Sequence, residues 1–253
     1  MPLACSDSLR RRALALSAAL AVLLGVSALA VLASGADPAT AARAKVLGKT
    51  KKTPGPSCPG KKGAACEAVG SVSGFQTRAG GAKNPFKVPR NGRLVAWSVD
   101  ISRPKPAEQR FFGKLYRDES FGTDPSARVS ILEPRGKKKY KLKRHTPSVD
   151  LSDYLGQKPI FTLGNPLSIK KGDVIALTLP TWLSDFAVEL RPAKNAWRAS
   201  RGGDACDIGT DTKKQRKNLR KSKPQEQVGS TRPYGCGYRG ARLLYWGFYT
   251  TGA

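Results

Sequence analysis

Histidine is nearly absent from this sequence, which holds only His145 among 253 residues. Every Ser–His–Asp triad, histidine general base or histidine-based metal site would have to use that residue. It lies in the segment KLKRHTPSVD, among cations and without a nucleophile motif. We therefore expect His145 to be a solvated side chain at the end of a strand, and histidine-dependent catalysis is not indicated.

Other catalytic and metal-binding patterns are also missing. A glycan hydrolase needs two carboxylates that face each other across a cleft, and no spacing in the sequence pairs any. The candidates for such a pair are Glu108, Glu119, Asp185 and Glu189. Three aspartates at residues 204, 207 and 211 lack the alternation of a calcium loop, and no CxxC pair suggests zinc. We predict a non-catalytic protein without cofactor or metal, with a carboxylate hydrolase as a minor alternative.

Apolar residues at helical spacing are not sustained over three turns anywhere after the first 36 residues. Short segments with period-two alternation, separated by turn residues, fill much of the remaining chain. A βαβ design is therefore not indicated. The pattern predicts an all-β domain over residues 67–253, a two-sheet antiparallel β-sandwich of about eight to ten strands with jelly-roll-like character.

The clearest strand runs from Arg93 to Ile101. One face of this strand is apolar and carries Val95, Trp97, Val99 and Ile101. Asn91-Gly92 precedes it, and both residues tolerate positive φ, so we predict a tight hairpin that links the strand to the segment NPFKV.

Three further turns or strands follow the same logic. Arg135-Gly136 separates ARVSILEP from KKKYKLKR and predicts a hairpin. Lys171-Gly172 turns the chain between two alternating segments within NPLSIKKGDVIALTLP. In the final segment, RLLYWGFYT, three residues share one face, opposite Tyr245 and Tyr249: Leu244, Trp246 and Phe248.

The order VPRNGRLVAWSVDI, RVSIL, LSIKKGDVIALTLP resembles secreted jelly-roll or galactose-binding-like sandwich modules of high-GC bacteria, over about residues 70–200. The likeness is one of fold, and no functional residue is transferred by it. Because such modules often bind carbohydrate or serve in adhesion, the resemblance implies a binding role rather than catalysis.

The first 36 residues read as an export signal, with three arginines ahead of an apolar run from Ala13 to Ala33. Small residues follow the run and favour cleavage near Asp37, which would give a secreted protein. The run is also long enough to cross a bilayer, so an uncleaved membrane anchor is the alternative. Residues 37–66 are basic and rich in Pro and Gly, which predicts a mobile linker.

Four cysteines remain after the leader, an even number that favours two disulfides in an exported protein. Three pairings are possible. We favour the two local ones, Cys58–Cys66 and Cys206–Cys236, although the sequence does not settle the connectivity.

The charge is strongly positive: 45 Lys and Arg against 18 Asp and Glu give +27. Anionic partners are therefore favoured. Seven of the eleven residues from Lys213 to Lys223 are cations, within an insert at residues 204–235 that the second cysteine pair brackets and that we predict to be flexible. They are our candidate polyanion-binding residues: Lys213, Lys214, Arg216, Lys217, Arg220, Lys221 and Lys223. A solvated charged insert without a ligand is the alternative.

These observations favour a secreted binding module that contacts an acidic extracellular or cell-wall polymer or glycan through the basic insert, with an anionic membrane surface as a further partner. Sequence-specific nucleic-acid binding is not indicated, because the basic run from Lys213 to Lys223 has no aromatic residues to stack bases. Two alternatives stay open: a structural surface protein, and a carbohydrate-binding module that uses Trp182 and Trp197, which follow Pro-bearing turns.

Overall fold

A computed structural model describes residues 44–58 and 66–251. The two α-helices of this part of the chain are α1 (Pro106–Leu115) and α2 (Lys213–Arg220), and short 3-10 turns lie at Ser152–Tyr154 and Gly203–Cys206. Its strands are β1 (Lys45–Leu47), β2 (Val69–Ala79), β3 (Ala82–Lys83), β4 (Gly92–Val99), β5 (Ser126–Pro134), β6 (Lys139–His145), β7 (Val149–Asp150), β8 (Ile160–Ile169), β9 (Val174–Leu183), β10 (Phe186–Ala187), β11 (Ala196–Ala199), β12 (Thr231–Pro233), β13 (Cys236–Arg239), β14 (Arg242–Leu243) and β15 (Tyr245–Thr250). The predicted all-β class is confirmed.

Two antiparallel sheets enclose the main core. The small sheet has the order β1-β15-β4-β8, and the large sheet the order β12-β6-β5-β9-β2-β11-β13, with β3 and β7 added at its sides and a separate β10–β14 ribbon. Phe86 stacks on Tyr245 with ring centroids 4.0 Å apart, and the Tyr245 hydroxyl donates to the carbonyl of Ile175 at 2.9 Å. Since Tyr245 belongs to β15 and Ile175 to β9, this pair of contacts joins the two sheets.

The β4 strand departs from strict alternation. Its register against β8 shifts between Leu94 and Ala96, so a bulge interrupts the ladder. As a result Leu94 and Trp97 both lie in the core, whereas Val95, which the alternation placed on the apolar face, is half-buried. The bulge moves the side chains that precede it to the opposite face of the strand, and a prediction from strict alternation does not include such a shift.

The hairpin predicted at Arg135-Gly136 is present as β5–β6. The one predicted at Asn91-Gly92 is wrong, because the chain around Phe86–Val88 bonds to the start of β9: Val88 N–H donates to the Asp173 carbonyl and Ile175 N–H to the Phe86 carbonyl. The Lys171-Gly172 turn exists, but it carries the chain from the small sheet to the large one, since β8 pairs with β4 and β9 with β5 and β2.

Part of the segment predicted as a mobile linker belongs to the sandwich. Lys45–Leu47 pairs with β15 at the edge of the small sheet, and the Leu47 side chain is buried in the main core. Burial of Leu47 and the backbone hydrogen bonds of an edge strand together hold this basic segment on the sheet, because backbone groups can pair whatever side chains the strand carries. The predicted leader, residues 1–36, lies outside the described residues. Within the described ranges no helix is long and apolar enough to span a bilayer.

Candidate polyanion-binding groove

Two cysteine pairs lie at disulfide distance. Cα atoms are 4.6 Å apart in Cys58–Cys66 and 5.1 Å apart in Cys206–Cys236, so both favoured pairings are found. Cys236 opens β13 and Cys206 closes the 3-10 turn before α2. The second bond therefore ties the two ends of the basic insert, residues 204–235, to the edge of the large sheet. Such pairs are compatible with an oxidising, extracellular compartment.

The basic insert is folded and packed, which corrects the prediction of a flexible segment. Lys213–Arg220 forms α2, and a capping box starts it: Thr212 Oγ1 accepts from Gln215 N–H at 3.1 Å while Gln215 Oε1 accepts from Thr212 N–H at 3.1 Å. Leu219, the one apolar residue of α2, is buried against α1 and β9 in a cluster with Phe112, Tyr116 and Trp182. The capping box and Leu219 are both visible in the sequence. The helix was not predicted because the apolar partners of Leu219 lie far away in the chain.

The second half of the basic insert covers a polar row on the large sheet. Gln225 is fully buried, and its N–H donates to Ser73 Oγ at 2.9 Å. Its side-chain amide donates to the Ser230 carbonyl at 2.8 Å and accepts from the Tyr234 hydroxyl at 3.0 Å. Because buried polar groups must find partners, these bonds hold the insert in one position on the sheet.

The cations of α2 are exposed, apart from half-buried Arg216, which donates to the Thr210 carbonyl. Among the described residues, none of the seven predicted cations forms a salt bridge. The first turn of α2 carries Lys213 and Lys214 and no acidic residue. Positive charges there oppose the helix dipole, and Lys213, Lys217 and Lys221 repel one another at i,i+4 spacing. The two first-turn lysines therefore cost helix stability, whereas Lys217 and Arg220 in the last turn interact favourably with the helix dipole.

A groove of about 680 Å³ separates the end of α1 from the end of α2, and we call it the inter-helix groove. Lys114 and Arg117 line one side of it, and Arg220 and Lys223 line the other. Phe111, which is 51% exposed, adds an aromatic ring at the wall, and buried Leu219 lies beneath. Two of the seven predicted cations, Arg220 and Lys223, thus share the groove with two further cations and an aromatic ring. The sequence did not indicate these other residues, because α1 was not predicted.

The acidic residues of the inter-helix groove are mostly engaged. Asp118 Oδ1 accepts from Ser120 N–H at 2.8 Å, and Glu226 pairs with buried Arg128 at 3.6 Å. Burial lowers the pKa of Arg128, and the Glu226 charge opposes that effect. Glu119 is exposed. Since a hydrogen bond from a backbone N–H leaves the carboxylate charge in place, the groove lining carries four cations against three carboxylates, and Glu226 is the one of the three that forms a salt bridge among the described residues.

The tryptophans proposed for sugar stacking are buried, which corrects that alternative. Trp182 is 1% exposed, packs on Phe112, and its indole N–H donates to the Thr123 carbonyl at 2.8 Å. Trp197 is 2% exposed and lies against Phe186 and Tyr238 in the main core. Both rings have neighbours on the faces that a sugar would need, because tertiary packing covers what the local sequence leaves open.

The candidate catalytic residues do not form a site around His145. His145 ends β6, where its ring Nδ1 lies 2.9 Å from the Thr146 carbonyl. Glu108 caps α1 by accepting from Lys105 N–H at 2.6 Å, Glu189 is exposed, and Glu119 lies in the inter-helix groove. Asp185 is fully buried, and this burial raises its pKa to about 8. In the described part of the chain no group of three His, Cys, Asp or Glu side chains is placed to hold a metal ion.

Comparison with protein-family models, with curated proteins and with solved structures found no match to this chain.

Proposed function

We propose that this protein is an exported, non-catalytic binding module whose α2 and inter-helix groove hold an acidic polymer of the cell wall or cell surface. The observation that carries the proposal is the cluster of cations on and after α2, which are held on a folded helix and form no salt bridge among the described residues, and of which Lys213 and Lys214 oppose the helix dipole. A solvated insert without a ligand gives no reason for the repulsion among these charges, whereas a bound anionic ligand would reduce that repulsion. Export is supported by the two cysteine pairs.

The groove favours a polymer with ring-shaped units. Phe111 stands between the cations of α1 and those of α2, with half of its surface free. An apolar sugar face packs well on such a ring while carboxylate, sulfate or phosphate groups reach the flanking Lys and Arg side chains. We therefore favour an acidic glycan over a simple polyphosphate chain.

The proposal is tested by the salt concentration that elutes the full chain, held in neutral detergent, from heparin and from teichoic acid resin. Four exposed lysines of α2 and its C-cap are replaced by glutamine: Lys213, Lys214, Lys217 and Lys221. The matched control replaces four exposed lysines at the other end of β9, about 30 Å away: Lys83, Lys87, Lys170 and Lys171.

Both variants lose the same formal charge, so a general effect of net charge lowers both elution points equally. We expect the α2 variant to elute at clearly lower salt than the control variant. Equal elution of the two variants would remove the basic insert as the binding site and leave only a nonspecific field around the molecule.

A further inference from the structure

The outer face of the small sheet is apolar, and within the described ranges Ala187 of β10 and Leu190 pack against its Trp246 end. Two cross-strand rows form it. Val46, Phe248 and Ala96 are neighbours in one row, on β1, β15 and β4. The other row consists of Trp246, Ser98 and Ile160. Ile160 is 60% exposed and Val46 is also exposed, so the face carries two of the large exposed hydrophobic side chains of the molecule.

A cavity of about 230 Å³ lies on this face, between the two rows. Ser98 belongs to its lining but is only 2% exposed, and its hydroxyl oxygen is buried without a hydrogen-bond partner among the described residues. The cavity is smaller than a site for a whole drug-sized ligand, so it suits one apolar segment.

Two lysines border the same cavity. Lys158 Nζ lies 3.8 Å from the centre of the Trp246 ring, and Lys49 stands on the β1 side. Lys158 also approaches Asp100, with 4.0 Å between Nζ and Oδ2. An apolar floor with a tryptophan and flanking lysines matches the chemistry of a lipid–water boundary, where rings and aliphatic side chains enter the acyl region and ammonium groups meet anionic headgroups.

We infer that this face, defined by Val46, Ser98, Ile160, Trp246 and Phe248 with Lys49 and Lys158 at its border, binds the surface of an anionic membrane. Acyl segments pack on the apolar rows, and the lysines contact phosphate. A second copy of the chain is a poorer occupant, because two molecules of charge +27 repel each other. A sugar ring is also disfavoured, since Lys158 already covers the Trp246 ring.

Chain order supports the same occupant. Val46 and Lys49 follow the apolar run Ala13–Ala33 closely in the sequence. Lys45 lies twelve positions after Ala33, a span of at most about 42 Å when fully extended. If the run is inserted in a bilayer, β1 therefore stays within reach of that bilayer. If it is cleaved, the face remains a peripheral contact.

The experiment uses tryptophan emission from the full chain on vesicles of phosphatidylcholine mixed with acyl-brominated phosphatidylglycerol, because bromine quenches only rings near the acyl region. Three of the four tryptophans, Trp97, Trp182 and Trp197, are at most 2% exposed and serve as an internal reference. Residues 1–43 contain no tryptophan, so insertion of the apolar run gives no signal. We expect partial quenching by brominated lipid, and its complete loss in Trp246→Phe.

The test variant is Ile160→Glu, and the matched control is Val228→Glu, at an exposed apolar residue of the basic insert. Ile160→Glu should abolish the quenching, and Lys49→Gln with Lys158→Gln should restrict it to low salt, whereas Val228→Glu should leave it unchanged. Wild-type chain that binds vesicles without quenching, or equal quenching in the two glutamate variants, overturns the inference. A dimer that forms without lipid and that Ile160→Glu dissociates also overturns the inference, because a second copy of the chain then covers this face.

The membrane face and the inter-helix groove are independent, and the same variants separate them. The glutamine variant of α2 should be quenched like wild type, while Ile160→Glu should elute from heparin like wild type. A failure of either proposal thus leaves the other in place.

Discussion

Asp185 is a buried carboxyl group in a position where water cannot reach it. It lies between β9 and β10, and neither side-chain oxygen has a hydrogen-bond partner in the described part of the chain. Burial raises its pKa to about 8, and the nearby charge of Asp100 acts in the same direction. The folded protein therefore keeps a proton on Asp185 that the unfolded chain releases near pH 4.

The first prediction concerns this proton. Because the folded pKa lies above the unfolded one, the contribution of Asp185 to stability is complete below about pH 4 and is lost as pH rises to about 8. Asp185→Asn removes the titration, so we expect its free energy of unfolding to match wild type at low pH and to exceed it by a few kcal/mol, as an order of magnitude, at about pH 8. Urea titrations across this range measure it.

Glu189→Gln, at an exposed carboxylate, is the control and should leave the pH dependence of stability unchanged. Parallel stability curves for wild type and Asp185→Asn would show that Asp185 is ionised in the folded state, in contradiction of this account.

A substitution at Phe111 distinguishes an acidic glycan ligand from a polyanion that has no sugar rings. Phe111→Ala removes an exposed ring from the inter-helix groove without removing charge. We expect affinity for an acidic glycan to fall about three- to tenfold, since one ring contact contributes about 1 kcal/mol. Affinity for polyphosphate should not change, because it has no ring to pack. Isothermal titration with both polymers measures the difference, and equal losses on both would argue against ring packing.

At the level of elements, Leu219 is the apolar side chain that packs α2 on the sandwich, while Asn218 donates to the carbonyls of Asp204 and Asp207. Leu219→Ala should loosen the cluster with Phe112, Tyr116 and Trp182, at a cost of about 2 kcal/mol or more. A helix of eight residues is not stable alone, so its amides should exchange hydrogen faster, while those of β5 and β9 keep their protection. Leu219→Met, which preserves volume, is the control. Unchanged exchange in α2 would mean that its caps suffice.

Elements with local causes were predictable, and those with distant causes were not. The β5–β6 hairpin and the two faces of β15 follow from alternation and turn residues a few positions apart. The bulge at Leu94 and the burial of Trp182 under α1 depend on neighbours from other parts of the chain. The inter-helix groove combines residues 111–120 with residues 219–226, so the sequence identified one side of it and could not supply the other.

For the whole molecule, the two cysteine pairs should differ in their effect on stability. The loop closed by Cys206–Cys236 is longer, with a sequence separation of 30 against 8 for Cys58–Cys66. On the loop-entropy model, replacing Cys206 and Cys236 by serine costs about 3 to 4 kcal/mol, and replacing Cys58 and Cys66 by serine costs about 2.5 kcal/mol. Guanidinium unfolding of the two double variants measures the loss in free energy of unfolding. A larger loss for the Cys58–Cys66 variant would contradict this prediction.

Binding through a concentrated set of charges should depend steeply on salt. If all seven predicted cations each neutralise one charge of a dense polymer, the log–log slope of affinity against salt is about −6. Replacing four α2 lysines by glutamine should reduce its magnitude by about 3 to 4, whereas the control lysines at the far end of β9 should leave it nearly unchanged. Fluorescence anisotropy at several salt concentrations measures the slopes, and equal slopes for the two variants would place the contact elsewhere.

The bond between Cys206 and Cys236 also decides what a protease can do to this molecule. The basic residues of α2 are preferred cleavage sites for trypsin-like enzymes, yet a cut after any of them leaves both fragments covalently joined at the edge of the large sheet. The second fragment contains β15, a central strand of the small sheet. A nicked molecule should thus migrate as one species until it is reduced, and the sandwich should outlast cleavage of the segment that it presents.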